Sequence, residues 1–169
     1  GLLGAPVTVS EVLLGMAERL DLLVDFGKYS AGQTVSLQCL SARWNLLQFR
    51  VTGIGGMAYT PPSHLSYVER LSGPSQPTRT FTFDGMSRIN GKIYDMDRID
   101  FTVPFGTTER WRFKTGGSAP HPVHVHGASF QVVSRTGGRG RLFPWEGRWK
   151  DPVLLNAKET VDGLIRSST

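Results

Sequence analysis

An internal repeat limits the folds open to this chain more than any other feature of its sequence. Val12–Asp25 (VLLGMAERLDLLVD) aligns without a gap on Val153–Arg166 (VLLNAKETVDGLIR), with identical Val, Leu, Leu, Glu, Asp and Leu residues. Each copy has the pattern of a strand, a turn and a second strand, and the turns contain Glu18 and Glu159. We therefore expect equivalent pieces of two similar β-domains within one chain.

Short apolar or alternating runs continue along the rest of the chain, and no stretch has a sustained helical period. Glycine, serine and asparagine separate these runs, as is typical of strands joined by turns. The predicted fold is all-β, most simply β-sandwiches. The predicted strands are Val7–Leu14, Arg19–Phe26, Thr34–Ala42, Leu46–Thr52, Arg79–Phe83, Asp100–Phe105, Glu109–Thr115, Val123–Ser134, Lys150–Leu155 and Thr160–Ser167.

The composition is that of an ordinary globular protein, with 39% hydrophobic residues and a net charge of +5. The apolar runs are too short to span a bilayer, so no membrane partner is expected, and no signal peptide is visible. Proline and glycine are concentrated in Gly53–Pro77, which predicts a linker with one helical turn around Leu65–Leu71. The single cysteine, Cys39, excludes an internal disulfide, and we interpret it as a buried strand thiol.

The stretch His121–Val133 (HPVHVHGASFQVV) contains three of the four histidines. His124 and His126 are two residues apart, so their side chains are expected on the same face of a strand. His121 is expected on the opposite face, unless a bulge at Pro122 redirects it. Because neutral imidazole is a common ligand of copper and zinc, this spacing predicts ligands for two adjacent metal centres.

Several short motifs follow one another in the order found in a known family. With them, the chain resembles the C-terminal cupredoxin domain of a three-domain multicopper oxidase, of the bacterial laccase, bilirubin oxidase or cuprous oxidase type. Residues 6–26 resemble the end of the middle cupredoxin domain, and residues 62–81 resemble the connection into the last one. The motifs are ING at Ile89–Gly91, YDM at Tyr94–Met96, GTTERW at Gly106–Trp111, HPVHVHGASFQV at His121–Val132 and WKDPV at Trp149–Val153.

This resemblance implies a cupredoxin-like Greek-key β-sandwich that is incomplete at both ends. Residues 1–53 would be the C-terminal part of a middle domain, residues 54–78 a linker, and residues 79–169 a C-terminal domain without its last strand. It implies copper as cofactor, with His121 as a ligand of the type 1 site and His124 and His126 as ligands of the trinuclear cluster. Glu109 would support a loop or a histidine by hydrogen bonds.

The resemblance also implies an activity, which is one-electron oxidation of phenolic or similar substrates coupled to reduction of dioxygen to water. Such enzymes are periplasmic or secreted. The family takes its remaining ligands from an HCHxxxHxxxGM motif further along the chain and from a first domain, and the neighbours of Cys39 do not match that motif. With three ligands, this stretch alone is not expected to be a working oxidase. A phenol, a bilin and cuprous ion all remain possible substrates.

Two alternatives stay open at this point. One is a non-catalytic copper-binding module that uses the same histidines. The other is a nucleic-acid contact through Arg135–Lys150, where cations alternate with aromatic residues. A solvated hairpin loop explains that stretch better, so no nucleic-acid partner is expected.

The repeat also predicts how an incomplete sandwich is completed. If the last domain stops after Thr160–Ser167, the edge beside that strand is open and attracts another strand. Thr34–Ala42 is the repeat equivalent of the missing strand. We expect it to fill the gap, within one chain or in a strand-swapped homo-oligomer.

Overall fold

A computed structural model describes residues 3–53, 56, 59–117 and 119–168. The prediction of an all-β protein is confirmed, because these described residues contain one short 3-10 helix, Phe26–Lys28, and eleven strands. No helix in these residues is long and apolar enough to cross a membrane. The strands are β1 (Thr34–Cys39), β2 (Trp44–Arg50), β3 (Arg79–Asp84), β4 (Arg88–Ile89), β5 (Lys92–Ile93), β6 (Thr108–Thr115), β7 (His121–His124), β8 (Phe130–Thr136), β9 (Trp149–Lys150), β10 (Pro152–Leu155) and β11 (Thr160–Arg166).

The chain forms two compact units. The larger unit consists of Gly1–Leu20 together with Pro62–Thr169, and the smaller one is Asp21–Pro61. These bounds differ from the division that was predicted at residues 53 and 78. That division concerns the domains of the family, and it stays a prediction. In the structure, the first residues of the chain belong to the same unit as the histidine motif.

A seven-stranded sheet with the order β5-β4-β3-β6-β11-β8-β9 forms most of the larger unit. All neighbours in this sheet are antiparallel except β3 and β6. Strand β6 has the sequence TERWRFKT, and its alternation places Trp111 and Phe113 in the core. A small two-stranded sheet, β10-β7, carries the first histidines, with Leu155 opposite His121 and Pro152 opposite His124. Val153 and Leu155 of β10 are fully buried, which anchors this sheet to the core.

The smaller unit is built on the antiparallel hairpin of β1 and β2. The ring of Phe26 packs against that of Phe49 at 5.0 Å between centroids. Leu37 and Leu47 lie opposite each other in the register, and both are about half exposed. A two-stranded hairpin buries little apolar surface by itself, so its leucines remain in contact with solvent.

Three predicted strands are wrong. Val7–Leu14, Arg19–Phe26 and Asp100–Phe105 have no strand pairing in the described part of the chain. A strand requires a neighbour for its backbone groups, and apolar alternation cannot report whether a neighbour exists. The predicted helical turn around Leu65–Leu71 is also absent from the structure. The N–H of Leu71 instead donates to the side-chain oxygen of Gln131, at 2.9 Å.

The predicted open edge beside Thr160–Ser167 is wrong as well. Strand β11 pairs with β6 on one side and with β8 on the other, so both of its edges are filled. Strand β1, the proposed donor, pairs with β2. An open edge was the reason to expect a strand-swapped homo-oligomer, and that reason therefore no longer applies.

The turn of the repeat is the same in both copies, although only the second copy forms strands. Ala17 and Lys158 occupy equivalent positions and both have left-handed backbones, with φ of 64° and 57°. The side chain of Glu18 accepts from the N–H of Gly15 at 2.7 Å, and that of Glu159 accepts from the N–H of Asn156 at 2.7 Å. The repeat therefore preserves a local structure in which a glutamate closes its own turn.

Glu159 is the centre of a buried ionic cluster. Its carboxylate is fully buried and accepts from Arg135 at 2.6 Å, from the Arg139 side chain at 2.7 Å and from the Arg139 N–H at 2.9 Å. Burial alone would raise the pKa of Glu159, but the hydrogen bonds from Arg139 and Asn156, with the charge of Arg135, lower it to about 2. A side chain on Gly138 would collide with Glu159, so the loop approaches this closely only because it has glycine there.

We predict that Glu159→Gln lowers the free energy of unfolding at pH 7 by about 3 kcal/mol, because the ionised carboxylate is stabilised by its cations. The folded pKa of about 2 lies below the ordinary value of 4.5, so this stabilisation is present above pH 4.5 and is lost as the pH falls towards 2. Urea unfolding of both proteins at pH 7, 4 and 2.5 measures the difference. A difference that stays constant over these pH values would contradict the prediction.

Candidate metal centre

His121 begins strand β7, as predicted. Its half-buried ring stacks on that of Phe83 at 5.8 Å between centroids, with an angle of 24° between the planes. The backbone of His121 lies opposite Leu155 in the small sheet. This ring is therefore held by an aromatic neighbour on β3 and by the pairing of its own strand.

His124 ends the same strand, and its side chain is exposed to solvent. Its Nδ1 lies 3.1 Å from the carbonyl oxygen of Asp151. A carbonyl oxygen only accepts, so Nδ1 carries the proton of the neutral ring and Nε2 keeps a free lone pair. An imidazole held in this way presents one defined nitrogen to a metal ion.

His126 follows the strand rather than belonging to it, so that part of the strand prediction is wrong. It lies in the turn that leads to β8, where the N–H of Ala128 donates to the carbonyl of Val125 at 3.4 Å. The rings of His124 and His126 nevertheless come together, at 4.8 Å between centroids and an angle of 62°. These two rings were expected to be close because side chains alternate along a strand, but the turn is what places them together.

An open cleft of about 530 Å³ lies beside the ring of His124. Its lining is partly polar and includes Glu69, His124, Gly127, Ser129, Asp151 and Arg166. A cleft of this kind leaves room for further ligands or for a small molecule next to His124.

Within residues 3–53, 56, 59–117 and 119–168, no three His, Cys, Asp or Glu side chains are close enough together to hold a metal ion. Neutral imidazoles with a free ring nitrogen are donors that copper favours, so His124 and His126 fit copper as part of a ligand set. His121 lies apart from this pair, at the other end of the strand, where its ring stacks on that of Phe83.

No hydrogen bond joins Glu109 to a histidine in the part of the chain that the structure describes. Its carboxylate accepts from Arg79 at 2.7 and 2.9 Å and from the indole N–H of Trp111 at 2.7 Å. The hydrogen bond from Arg79 is the main reason that the pKa of Glu109 is lowered. Arg79 also donates to the carbonyl of Thr102 at 2.9 Å, so Glu109 supports a loop through Arg79.

Cys39 is the last residue of β1 in the smaller unit, and it is half-buried rather than buried as predicted. Its Sγ lies 3.4 Å from the hydroxyl of Ser41. A hairpin with one exposed face cannot enclose a side chain fully, which explains the difference.

The basic and aromatic stretch Arg135–Lys150 is mostly occupied by contacts within the chain. Arg135 is bound by Glu146 and by Glu159 of the buried cluster, and Arg139 is bound by Glu159. Lys150 pairs with Glu18 at 2.7 Å. The rings of Phe143 and Trp145 stack on each other at 4.8 Å. Nucleic-acid binding requires free cations and open ring faces, so the structure does not favour that alternative.

Comparison with known proteins identifies the family. A family model described as multicopper oxidase matches residues 59–165. The chain belongs to the multicopper oxidase family. This family implies copper and a reducing substrate as reaction components, and its cupredoxin fold agrees with the sheets described above.

Relatives of this multicopper oxidase chain are longer than the chain itself. Bilirubin oxidase of Albifimbria verrucaria is 32% identical over 95% of this chain and 32% of its own length. Cell division protein FtsP of Escherichia coli K12 is 29% identical over 94% of this chain and 36% of its own. The chain thus spans about a third of the curated relatives that it matches.

Solved structures of the family are also similar. The laccase from Pediococcus acidilactici superimposes with a TM-score of 0.75 at 31% identity, covering 86% of this chain and 32% of the laccase. McoA multicopper oxidase from Aquifex aeolicus gives a TM-score of 0.71 at 26% identity, covering 86% of this chain and 36% of that protein.

Sequence reasoning missed the groups that hold His124. Asp151 lies in the WKDPV motif, but the acceptor is its main-chain carbonyl, and no residue type encodes a carbonyl. From the sequence, Glu18 was predicted only to lie in a turn of the repeat. Its match with Glu159 was a usable signal, because a glutamate kept in two copies suggests a buried partner.

We predict that Gly127→Ala costs about 1 kcal/mol of stability, because Gly127 has φ +75° and an alanine there adopts a left-handed backbone. No atom lies within 4 Å of the added Cβ, so the cost is conformational alone. Urea unfolding measures it, and Gly127→Asn is the matched control, since asparagine tolerates this backbone and should lose less. Equal losses for both variants would argue against this explanation.

Proposed function

We propose that this chain supplies part of the copper sites of a laccase-like multicopper oxidase. The observation that carries the proposal is the paired rings of His124 and His126 at one end of β7, with His121 at the other end. His121 is assigned to the type 1 site, and His124 and His126 to the trinuclear cluster. The remaining ligands come from other parts of the intact protein.

Copper bound at these sites supplies one-electron transfer from a reducing substrate to dioxygen. The chain contributes the framework for that transfer. Strand β7 begins at His121 and ends at His124, so only Pro122 and Val123 separate the two histidines, and all of this strand pairs with β10. Phe83 fixes the ring of His121, and the carbonyl of Asp151 fixes that of His124.

The domain assignment is part of the same proposal. Residues 1–53 are taken as the end of a middle cupredoxin domain, residues 54–78 as a linker and residues 79–169 as the C-terminal domain. The identical turns at Glu18 and Glu159 support two related domains. The reducing substrate is taken to be phenolic or similar, with dioxygen as the oxidant and a periplasmic or secreted location, as the resemblance to laccases implies.

A non-catalytic copper-binding module remains the second candidate. It is supported by the similarity to relatives that are named for cell division, such as Cell division protein FtsP. Such a module would use the same two rings, so binding of copper alone does not separate the two functions. Turnover of a reducing substrate by the intact protein distinguishes them.

We predict that the metal-free chain binds Cu(II) through His124 and His126. His124→Ala or His126→Ala should each weaken binding by at least about tenfold, since each removes one nitrogen donor. Calorimetric titration gives the affinity, and electron paramagnetic resonance reports nitrogen ligation. His64→Ala is the matched control, because His64 is an exposed histidine in the same unit and outside the motif. Equal weakening by all three substitutions would refute a specific site.

We also predict that the 169-residue chain lacks the intense blue absorption of a copper thiolate and does not oxidise phenols in air. The physical reason is that a type 1 site needs a thiolate, and the neighbours of Cys39 do not match the motif from which the family takes it. Absorption spectroscopy and oxygen uptake measure both properties. Turnover of a phenol by the purified chain would overturn the ligand assignment.

A further inference from the structure

Two adjacent ion pairs join residues 18–19 to residues 150–151. Glu18 accepts from Lys150 at 2.7 Å, and Arg19 donates to the carboxylate of Asp151 at 2.9 Å. The order of charges is negative then positive in one dipeptide and positive then negative in the other. Only one alignment of the two dipeptides therefore satisfies all four charges.

The two pairs differ in burial. The side chains of Glu18 and Lys150 are 6% and 10% exposed, whereas those of Arg19 and Asp151 are 81% and 35% exposed. Exposed pairs contribute little, but removing one partner of a buried pair leaves an uncompensated charge. Glu18 and Lys150 therefore determine how the two dipeptides fit together.

Glu18 is itself held rigidly. Its second carboxylate oxygen accepts from the N–H of Gly15, which closes the turn at Ala17. Gly15 in turn packs on β10, since a Cβ on Gly15 would lie 3.0 Å from the Cβ of Leu154. The carboxylate is thus a fixed point beside the small sheet rather than a mobile side chain.

Lys150 links Glu18 to Asp151, the residue that binds His124. It ends β9, and Asp151 connects β9 to β10 without belonging to either strand. The carbonyl of Asp151 is the group that receives the Nδ1 hydrogen of His124. Because no strand includes Asp151, the direction of its carbonyl depends on the residues that flank it.

We propose that Glu18 is a positioning residue for His124. Through its buried pair with Lys150, it directs the carbonyl of Asp151 at Nδ1, and this keeps Nε2 of His124 unprotonated and turned outward. The inference rests on the proposed function only in taking His124 as a copper ligand. The metal-binding form of this ring is then set by Glu18, which lies far earlier in the chain.

The test is the tautomer of His124 in the metal-free chain, read from the nitrogen-15 shifts of its two ring nitrogens at a pH well above the usual histidine pKa. Wild type should carry the proton on Nδ1. Glu18→Gln and Lys150→Met should each reduce the ratio of the Nδ1–H to the Nε2–H form by about threefold to tenfold, the effect of losing one hydrogen bond. The double variant should lose no more than either single one.

Two control variants separate positioning from general loss of stability. Lys150→Arg keeps the ion pair and should retain the wild-type ratio. Glu109→Gln removes an ion-paired carboxylate of similar burial, bound to Arg79 at 2.7 Å, and should leave His124 unchanged. A folded Glu18→Gln with the wild-type ratio would overturn the proposal, as would an equal change in Glu109→Gln.

If Glu18→Gln does not fold, Glu18→Asp decides by the same measurement. It keeps the charge but shortens the reach to Lys150, and it should lower the ratio by a smaller factor. An unchanged ratio in a folded Glu18→Asp would then overturn the proposal. No copper is present in this experiment, so its failure leaves the copper titration unaffected, and failure of copper binding leaves the tautomer result intact.

Discussion

Pairing of β11 on both edges is the constraint on which the larger unit depends. The middle of the strand is also buried on both faces. A charged side chain there needs an ion-pair partner, and a residue without a side chain lets a neighbour approach closely. Asp162 is paired with Arg112 at 2.7 Å and lies 3.2 Å from Arg110. Gly163 leaves room for the ring of Phe130, which lies 3.1 Å from where a Cβ would be. Strands β6 and β8 are positioned by these contacts, and β8 follows directly from the turn that holds His126.

The sequence predicted the fold class and most of the longer strands that have partners, because alternation reports burial directly. It missed the short strands β4 and β5, and it merged β7 and β8 into one strand. In TERWRFKT, every second residue enters the core, and β6 was predicted to within one residue. Val7–Leu14 alternates equally well but has no neighbouring strand in the described chain, and the pattern contains no information about that. The error beside Thr160–Ser167 has the same origin, since strand order depends on contacts between distant parts of the chain.

The residue types of the candidate site could be predicted from the sequence, but the positions of those residues in space could not. Three histidines within a short motif indicated metal ligands, and the structure brings His124 and His126 together. It does so by a turn rather than by a strand face, because Gly127 reverses the chain towards β8. The groups that orient the ring are a backbone carbonyl and an ion pair between distant residues, and neither has a local pattern that a reader of the sequence can recognise.

The contact between Glu18 and Lys150 has a consequence for the order of folding. The two residues are separated by 132 positions, so their pair closes a loop that contains most of the chain. Loops of that length close slowly compared with hairpins such as β1–β2, whose partners are neighbours in sequence. The sheets can therefore assemble while the first residues of the chain are still free. We therefore expect the contact of Glu18 with Lys150, and with it the final placement of the Asp151 carbonyl beside His124, to form among the last steps of folding.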